Sequence, residues 1–237
     1  MKILLPVLML LSGAAWANEG APLAKQNWSF TGVRADWNKD ELYRGYTVAT
    51  QVCLACHSFK YISHRDLMRV GFTEAEVKTM AANLKMTIDQ PIHTGLAETD
   101  AQELYGKVPP DLSLMTKARE GLADYVYGVL TGYSEKPEEI AKDFPTGLPK
   151  GAYYNHAFPG KAIAMPAPLS GPDMVSFHDN TAATVPQMAH DVVTFMQWTA
   201  EPERMERQRL GVFVLLYLII FGVLTYFTKR AVWRDVH

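Results

Sequence analysis

Residues 210–228 (LGVFVLLYLIIFGVLTYFT) contain no charged side chain, and no other feature limits the possible folds as sharply. At about 1.5 Å per residue this run makes a helix of roughly 28 Å, the thickness of the hydrocarbon core of a bilayer. A buried helix of a soluble protein can be as apolar, but an uncharged run of this length points to a membrane span. Arg204, Arg207 and Arg209 precede the run, and Lys229, Arg230 and Arg234 follow it. The basic flanks balance, so the positive-inside rule leaves the orientation open. The start of the chain decides it. Lys2, an apolar stretch over residues 3–11 and Ala15-Trp16-Ala17 have the layout of a secretory signal with a small-x-small cleavage site. The stretch lacks the arginines of a mitochondrial transit peptide. The expected organisation is therefore a cleaved signal peptide (1–17), an exported periplasmic head (18–203) and a C-terminal anchor helix (204–230). Residues 231–237 form a cytoplasmic tail beyond the inner membrane of a bacterium.

Both cysteines of the 237-residue chain fall in Cys53-Leu54-Ala55-Cys56-His57. Two cysteines in an exported protein ordinarily pair as a disulfide. In C-x-x-C-H, however, the two thiols add across the vinyl groups of haem as thioethers, and the histidine places its imidazole under the iron. One turn of helix meets that geometry, which is why the five residues are contiguous. A thioredoxin-like motif would lie near a βαβ pattern, and none is visible. A structural zinc site needs four ligands, and no second Cys/His pair of suitable spacing exists. The motif predicts one covalent haem c on Cys53 and Cys56 with His57 as an axial iron ligand. There is no second copy of the motif and no internal repeat. Upstream, Leu42, Tyr46, Ala49 and Cys53 share one face of a helix that Asp40 can cap.

The second axial position decides between transport and chemistry, because an open iron admits small molecules and a filled one leaves outer-sphere electron transfer. Met165 stands in a stiff loop, Phe158-Pro159-Gly160-Lys161-Ala162-Ile163-Ala164-Met165-Pro166-Ala167-Pro168. Such a loop presents a thioether with few competing conformations. Met80, Met115 and Met188 sit in helical or helix-flanking contexts that suit packing. The residues alone leave Met165 and His156 as rival ligands.

Elsewhere the head reads as mostly helical with long irregular connections. Thr73-Glu74-Ala75-Glu76 is a capping box opening a helix to about Lys85. A short helix follows over residues 121–130. Thr184-Val185-Pro186-Gln187 opens a third towards Trp198, with a capping box and an early proline. Pro202 suits the first turn of the anchor. The head holds 16 Lys and Arg against 23 Asp and Glu, a net charge near −7 that the whole-chain value of −2 conceals. Such a head excludes nucleic acid as a partner and suits a basic one. Glu135, Glu138, Glu139 and Asp143 form one candidate docking patch.

Several separated motifs, in order, resemble the cytochrome c1 family, the haem subunit of the ubiquinol–cytochrome c reductase (cytochrome bc1) complex. Arg44-Gly45-Tyr46 leads into the haem motif. Pro109-Pro110-Asp111-Leu112-Ser113 is followed by Lys117-Ala118-Arg119, Asp124-Tyr125-Val126 and Leu130-Thr131-Gly132-Tyr133. Phe158-Pro159-Gly160 comes with Ala162-Ile163-Ala164-Met165-Pro166. Asp191-Val192-Val193-Thr194-Phe195, Trp198 and Ala200-Glu201-Pro202-Glu203 then lead into the C-terminal span. The resemblance covers nearly all of the mature chain. It implies a mostly α, cytochrome c-like haem domain with loop insertions, carried on one C-terminal transmembrane helix. It implies Met165 as the second axial ligand, Arg119 as the partner of a haem propionate, and Pro110 and Tyr125 as further cofactor-binding residues. It also implies electron transfer from a Rieske iron–sulfur protein, through the haem, to a soluble or anchored cytochrome c, beside a cytochrome b subunit in the bilayer. The chain would be an electron carrier whose complex, not the chain alone, is the oxidoreductase. A free-standing anchored cytochrome and a haem enzyme with an open iron are the other function classes the haem motif allows. Residues 103–108 (ELYGKV) depart from the Asn/Gly-rich run usual in the family, and His156 stands where relatives often have proline.

Overall fold

The structure, a computed structural model, describes residues 23–32 and 36–234. The expected signal (1–17), its cleavage point near Asn18 and the last three residues of the tail lie outside the described residues. Seven helices are described: Lys39–Gln51 (α1), Glu74–Asn83 (α2), Glu98–Tyr105 (α3), Leu122–Thr131 (α4), Pro137–Asp143 (α5), Val185–Ala200 (α6) and Arg204–Val232 (α7). Two short antiparallel ladders join Phe59–Ser63 (β1) to Pro91–Ile92 (β2), and Tyr153–Tyr154 (β3) to Ala162–Ile163 (β4). The chain is thus mostly α, as the sequence predicts.

The core forms where α1 crosses α6. Asn38, not the expected Asp40, caps α1: its side chain accepts from the amides of Asp40 and Glu41. Asp40 lies within the first turn, where a carboxylate favours the positive end of the helix dipole. The expected apolar face is buried at Leu42, Tyr46 and Ala49, but α1 ends at Gln51, so Cys53 falls in a following 3-10 turn rather than on that face. α6 is buried at positions 188, 189 and 191–199. Its Phe195 ring meets those of Tyr46, Phe59 and Trp198 with centroids 5.4–5.9 Å apart. Burying a side chain of that size stabilises the fold by about 2–3 kcal/mol. Thr184 caps α6 through the amide of Gln187. The reciprocal half of the expected capping box is absent, because the Gln187 amide is drawn to Asp191 at 2.9 Å instead.

The two helices touch at Gly45, where a Cβ would lie 2.1 Å from the Asp191 carbonyl oxygen and 2.7 Å from the Phe195 Cβ. One residue earlier, Arg44 makes a two-pronged bond to fully buried Asp191 (2.8 and 3.2 Å) and a third to Asp179 (2.6 Å). Desolvation works against the charged guanidinium, but the two carboxylates outweigh it and raise its pKa. Desolvation likewise opposes the Asp179 carboxylate, yet bonds from Thr181 and Arg44 hold it down at about 2.

α2 begins at the predicted Thr73–Glu76 capping box and is tied to α1 through His64, which precedes it. The Tyr46 phenol oxygen lies 3.0 Å from His64 Nε2 and 3.4 Å from the Met80 carbonyl oxygen, joining the two segments. The His64 Nδ1 is buried and has no hydrogen-bond partner among the described residues. α4 packs on α6. Its Asp124 accepts from Gln26 N, Trp28 Nε1 and Lys25, which fastens residues 25–28 across both helices.

α7 runs from Arg204 to Val232 without a break, with mean hydropathy 2.5 over its most apolar stretch and none of that stretch buried. It fits a single membrane anchor. Pro202 stands ahead of its first turn, in a turn between α6 and α7. The head grips this junction: Lys117 (2.7 Å) and Arg207 both bind Glu201, and Arg69 reaches Glu203 and Glu206 at 3.4 Å.

Gly45→Ala should destabilise the head by about 3 kcal/mol, because backbone on the facing helix must move; denaturant unfolding in detergent measures it. Burial lowers the His64 pKa to about 4. The unfolded histidine takes a proton near pH 6.5, so stability should fall as pH drops from 6.5 to 4, by about 3 kcal/mol at the lower end. Unfolding curves across that range should be flatter in His64→Gln.

Candidate haem site

The cysteine motif directly follows α1. Cys53–Ala55 form the 3-10 turn, and the amides of Cys56 (3.1 Å) and His57 (2.9 Å) both bond back to the Cys53 carbonyl. Leu54 is buried and anchors the turn. Thr94 hydroxyl reaches the Ala55 carbonyl at 3.2 Å, tying down its outer side. Both cysteines are free and half-buried. Burial, with a smaller contribution from Cys56, pushes the Cys53 thiol up to about 12 against its own backbone hydrogen bond.

His57 Nδ1 lies 2.7 Å from the Pro110 carbonyl oxygen. A carbonyl only accepts, so Nδ1 carries the proton and the Nε2 lone pair is left for a metal. Burial lowers the imidazole pKa, opposed by the Pro110 bond and the Asp111 charge, and the neutral ring is the form that ligates. The Pro110 carbonyl is itself held by a run of bonds between two strands of chain. Leu112 N donates to Ser58 O (2.8 Å), Lys60 N to Asp111 Oδ2 (2.8 Å) and Tyr61 N to Ser113 Oγ (3.1 Å). The double proline stiffens this segment. The resemblance implies Pro110 as a cofactor-binding residue; the structure shows its backbone oxygen on the His57 imidazole.

Met165 lies just beyond β4, half-buried in a small cluster with Val129, Ala157 and Ile163, packed by Tyr125, Tyr133 and Phe158. Tyr133 Oη donates to the Met165 carbonyl at 3.0 Å. Asn155 is the post of this loop. Its Nδ2 donates to the Val129 carbonyl (2.7 Å), and its Oδ1 accepts from the amides of Ala157 and Phe158 (3.1 and 3.2 Å). The side chain of the neighbouring His156 is exposed and takes no part in that cluster. Met80 and Met188 are buried in the main core and Met115 packs against it, as the sequence suggests.

Tyr125 packs against both the main core and the Met165 cluster. Arg119 is exposed; its guanidinium bonds the Ala118 carbonyl (2.9 Å) and forms no ion pair among the described residues. Its charge acts on Tyr125. The acidic group at 135–143 is less charged than its sequence implies: Glu139 pairs with Lys136 (3.0 Å) and Asp143 with Lys161 (2.8 Å). Tyr105, which the sequence reading did not single out, places its phenol 3.6 Å from the Cys56 sulfur. Asn155 also escaped notice. A lone asparagine carries no spacing signal, although its place beside the Met165 loop was a hint.

The donor set fits haem. Two unpaired thiols, an imidazole with a free Nε2, a thioether on a braced loop and an unpaired guanidinium are its complements. Fold and site together define a c-type haem domain joined to one long apolar helix. The profile of the Cytochrome C1 family matches residues 28–236, and the chain belongs to that family. Family membership implies covalently bound haem c. The chain is 37% identical over 260 residues to a cytochrome c1 of Rhodospirillum rubrum, covering 97% of this chain and 94% of that one. It is 36% identical to the cytochrome b-c1 complex catalytic subunit of Candida albicans mitochondria, over 93% of this chain and 80% of the other. It is 38% identical to a cytochrome b/c1 of Bradyrhizobium diazoefficiens, where 94% of this chain matches 37% of a longer protein.

Asn155→Ala takes the side-chain partner from the Val129 carbonyl of α4 and from the Ala157 amide, leaves the Phe158 amide only its bond to the backbone carbonyl of residue 155 (3.3 Å), and should cost about 2 kcal/mol in urea unfolding.

Proposed function

We propose that this chain is the haem c subunit of a ubiquinol–cytochrome c reductase (bc1) complex, taking single electrons from a Rieske iron–sulfur protein and passing them to a soluble or anchored cytochrome c. The observation that carries the proposal is the His57 imidazole, held by the Pro110 carbonyl with Nε2 free, directly after the two free thiols of Cys53 and Cys56. Bound haem supplies a one-electron ferric/ferrous couple. Cys53 and Cys56 would hold it covalently, and His57 and Met165 would supply the protein ligands to its iron. Pro110 fixes which imidazole nitrogen faces the metal and strengthens it as a ligand. The bond from Tyr133 to the Met165 backbone and the Asn155 post keep the thioether loop from swinging away, so Met165 would stay at the iron and exclude small molecules. Arg119, exposed and without an ion pair among the described residues, would neutralise a propionate. Tyr125, Phe158 and the proline pair would help keep water from bound haem, which together with methionine ligation would raise the potential.

No further cysteine is present to hold a cluster, so the donor centre lies on another chain. The names of the Bradyrhizobium and Candida relatives support a cytochrome b neighbour and membership of a b-c1 complex. Residues 1–17 act as the export signal, residues 18–203 as a periplasmic head, 204–230 as the inner-membrane anchor and 231–237 as a cytoplasmic tail. The anchor raises the effective concentration of donor relative to haem. Copurification with a b-type cytochrome and a Rieske-type protein distinguishes the complex from a free-standing shuttle.

The purified holoprotein should give a low-spin spectrum with a methionine-to-iron charge-transfer band that is lost in Met165→Ala. High-spin iron binding carbon monoxide in the unaltered protein would overturn the closed site.

A further inference from the structure

The geometry points to Tyr105 as a positioning residue for the cofactor: its phenol donates a hydrogen bond to the Cys56 sulfur and biases the couple toward the ferrous state. The inference rests on the proposed attachment of haem c through Cys53 and Cys56.

Tyr105 is the last residue of α3, and its backbone is held on both sides. Gly106 takes the left-handed conformation (φ 70°) that ends the helix, with its amide bonded to the Gln102 carbonyl at 3.0 Å. The Gln102 side chain returns to the Gly106 carbonyl at 2.7 Å, closing the cap. Ala101, 2% exposed, seats α3 on the core one turn earlier. The start of α3 is tethered to β1 by the Lys60–Glu98 pair at 3.5 Å. The phenol oxygen is thereby delivered 3.6 Å from the Cys56 Sγ, within hydrogen-bond range for sulfur.

With a free thiol either atom can donate. A thioether sulfur has no proton, so once haem is attached the phenol O–H is the one proton available and the bond must run Oη–H···S. Density drawn from a sulfur bonded to the macrocycle stabilises the added electron, and hydrogen bonds in the outer shell are an established lever on metal potentials. Tyr105 lies in residues 103–108, the run that departs from the Asn/Gly-rich pattern usual in the family, so this contact is a property of this chain. Tyr153 is an internal control. It is close enough for its charge to act on Tyr105, is 46% exposed, and makes no hydrogen bond to either cysteine among the described residues.

Equilibrium redox titration of the detergent-solubilised holoprotein, followed at the reduced haem band, tests this. Tyr105→Phe keeps the ring and removes the proton. At the potential where the unaltered protein is half reduced, it should show a ferrous-to-ferric ratio about threefold lower, equivalent to a fraction of one net hydrogen bond. Tyr153→Phe should titrate with the unaltered protein. If Tyr105→Phe also does so, or if Tyr153→Phe shifts as far, the inference is overturned. If the unaltered chain carries no covalent haem on a denaturing gel, the reading of Cys53 and Cys56 falls, and this inference with it.

Discussion

The head is organised by the approach of α1 to α6 at Gly45, a contact too close for any side chain. That approach lines up Arg44 with Asp191 and sets the direction in which α1 delivers the chain to Cys53. It also positions α6, whose Phe195 packs on Phe59 just after the motif. At the far end of α6, the Thr199 hydroxyl bonds the Ser113 carbonyl at 3.1 Å, holding the segment whose Pro110 carbonyl aims His57. A helix crossing is thus connected to the orientation of one imidazole through contacts that each have a single good arrangement.

Charge in this protein serves placement more than stability. The buried Arg44–Asp191 pair cannot lose one member without leaving the other uncompensated. Exposed pairs such as Lys39–Glu76 contribute at most about 1 kcal/mol each. At the anchor, Arg207, counted in the sequence as one of three flanking arginines, is bound to Glu201, while Glu203 and Glu206 are bound to Arg69. The basic flank is partly spent on fixing the head against its own helix. Arg204 lies over the Trp37 ring at 5.9 Å, and Met205 packs on the core.

Much was legible in the sequence, and its failures are local. The capping box at Thr73, the α4 and α6 segments and the long apolar helix are written in short-range spacing, so they emerged close to their expected bounds. The cap of α1 was misread because Asn38 and Asp40 are both good N-cap residues, and only the backbone conformation at Asn38 chooses between them. The box at Thr184 was half right because Gln187 had a better partner in buried Asp191. The docking patch over 135–143 looked more acidic than it is, since Lys161, from a distant loop, neutralises Asp143.

By itself the sequence determined the attachment motif and the candidate membrane helix. Five contiguous residues in one turn, and a run of apolar side chains without charge, are properties of adjacent residues that no tertiary context needs to supply. The tertiary structure alone decided that Pro110, 53 positions from His57, offers its carbonyl to the imidazole. It also decided that Asn155 braces the Met165 loop, that His156 faces solvent, and that Tyr105 reaches Cys56. Those are meetings between segments far apart in the chain. Their partners are a backbone oxygen, a lone amide and a lone phenol, groups whose residue type and spacing say nothing of where the fold will bring them.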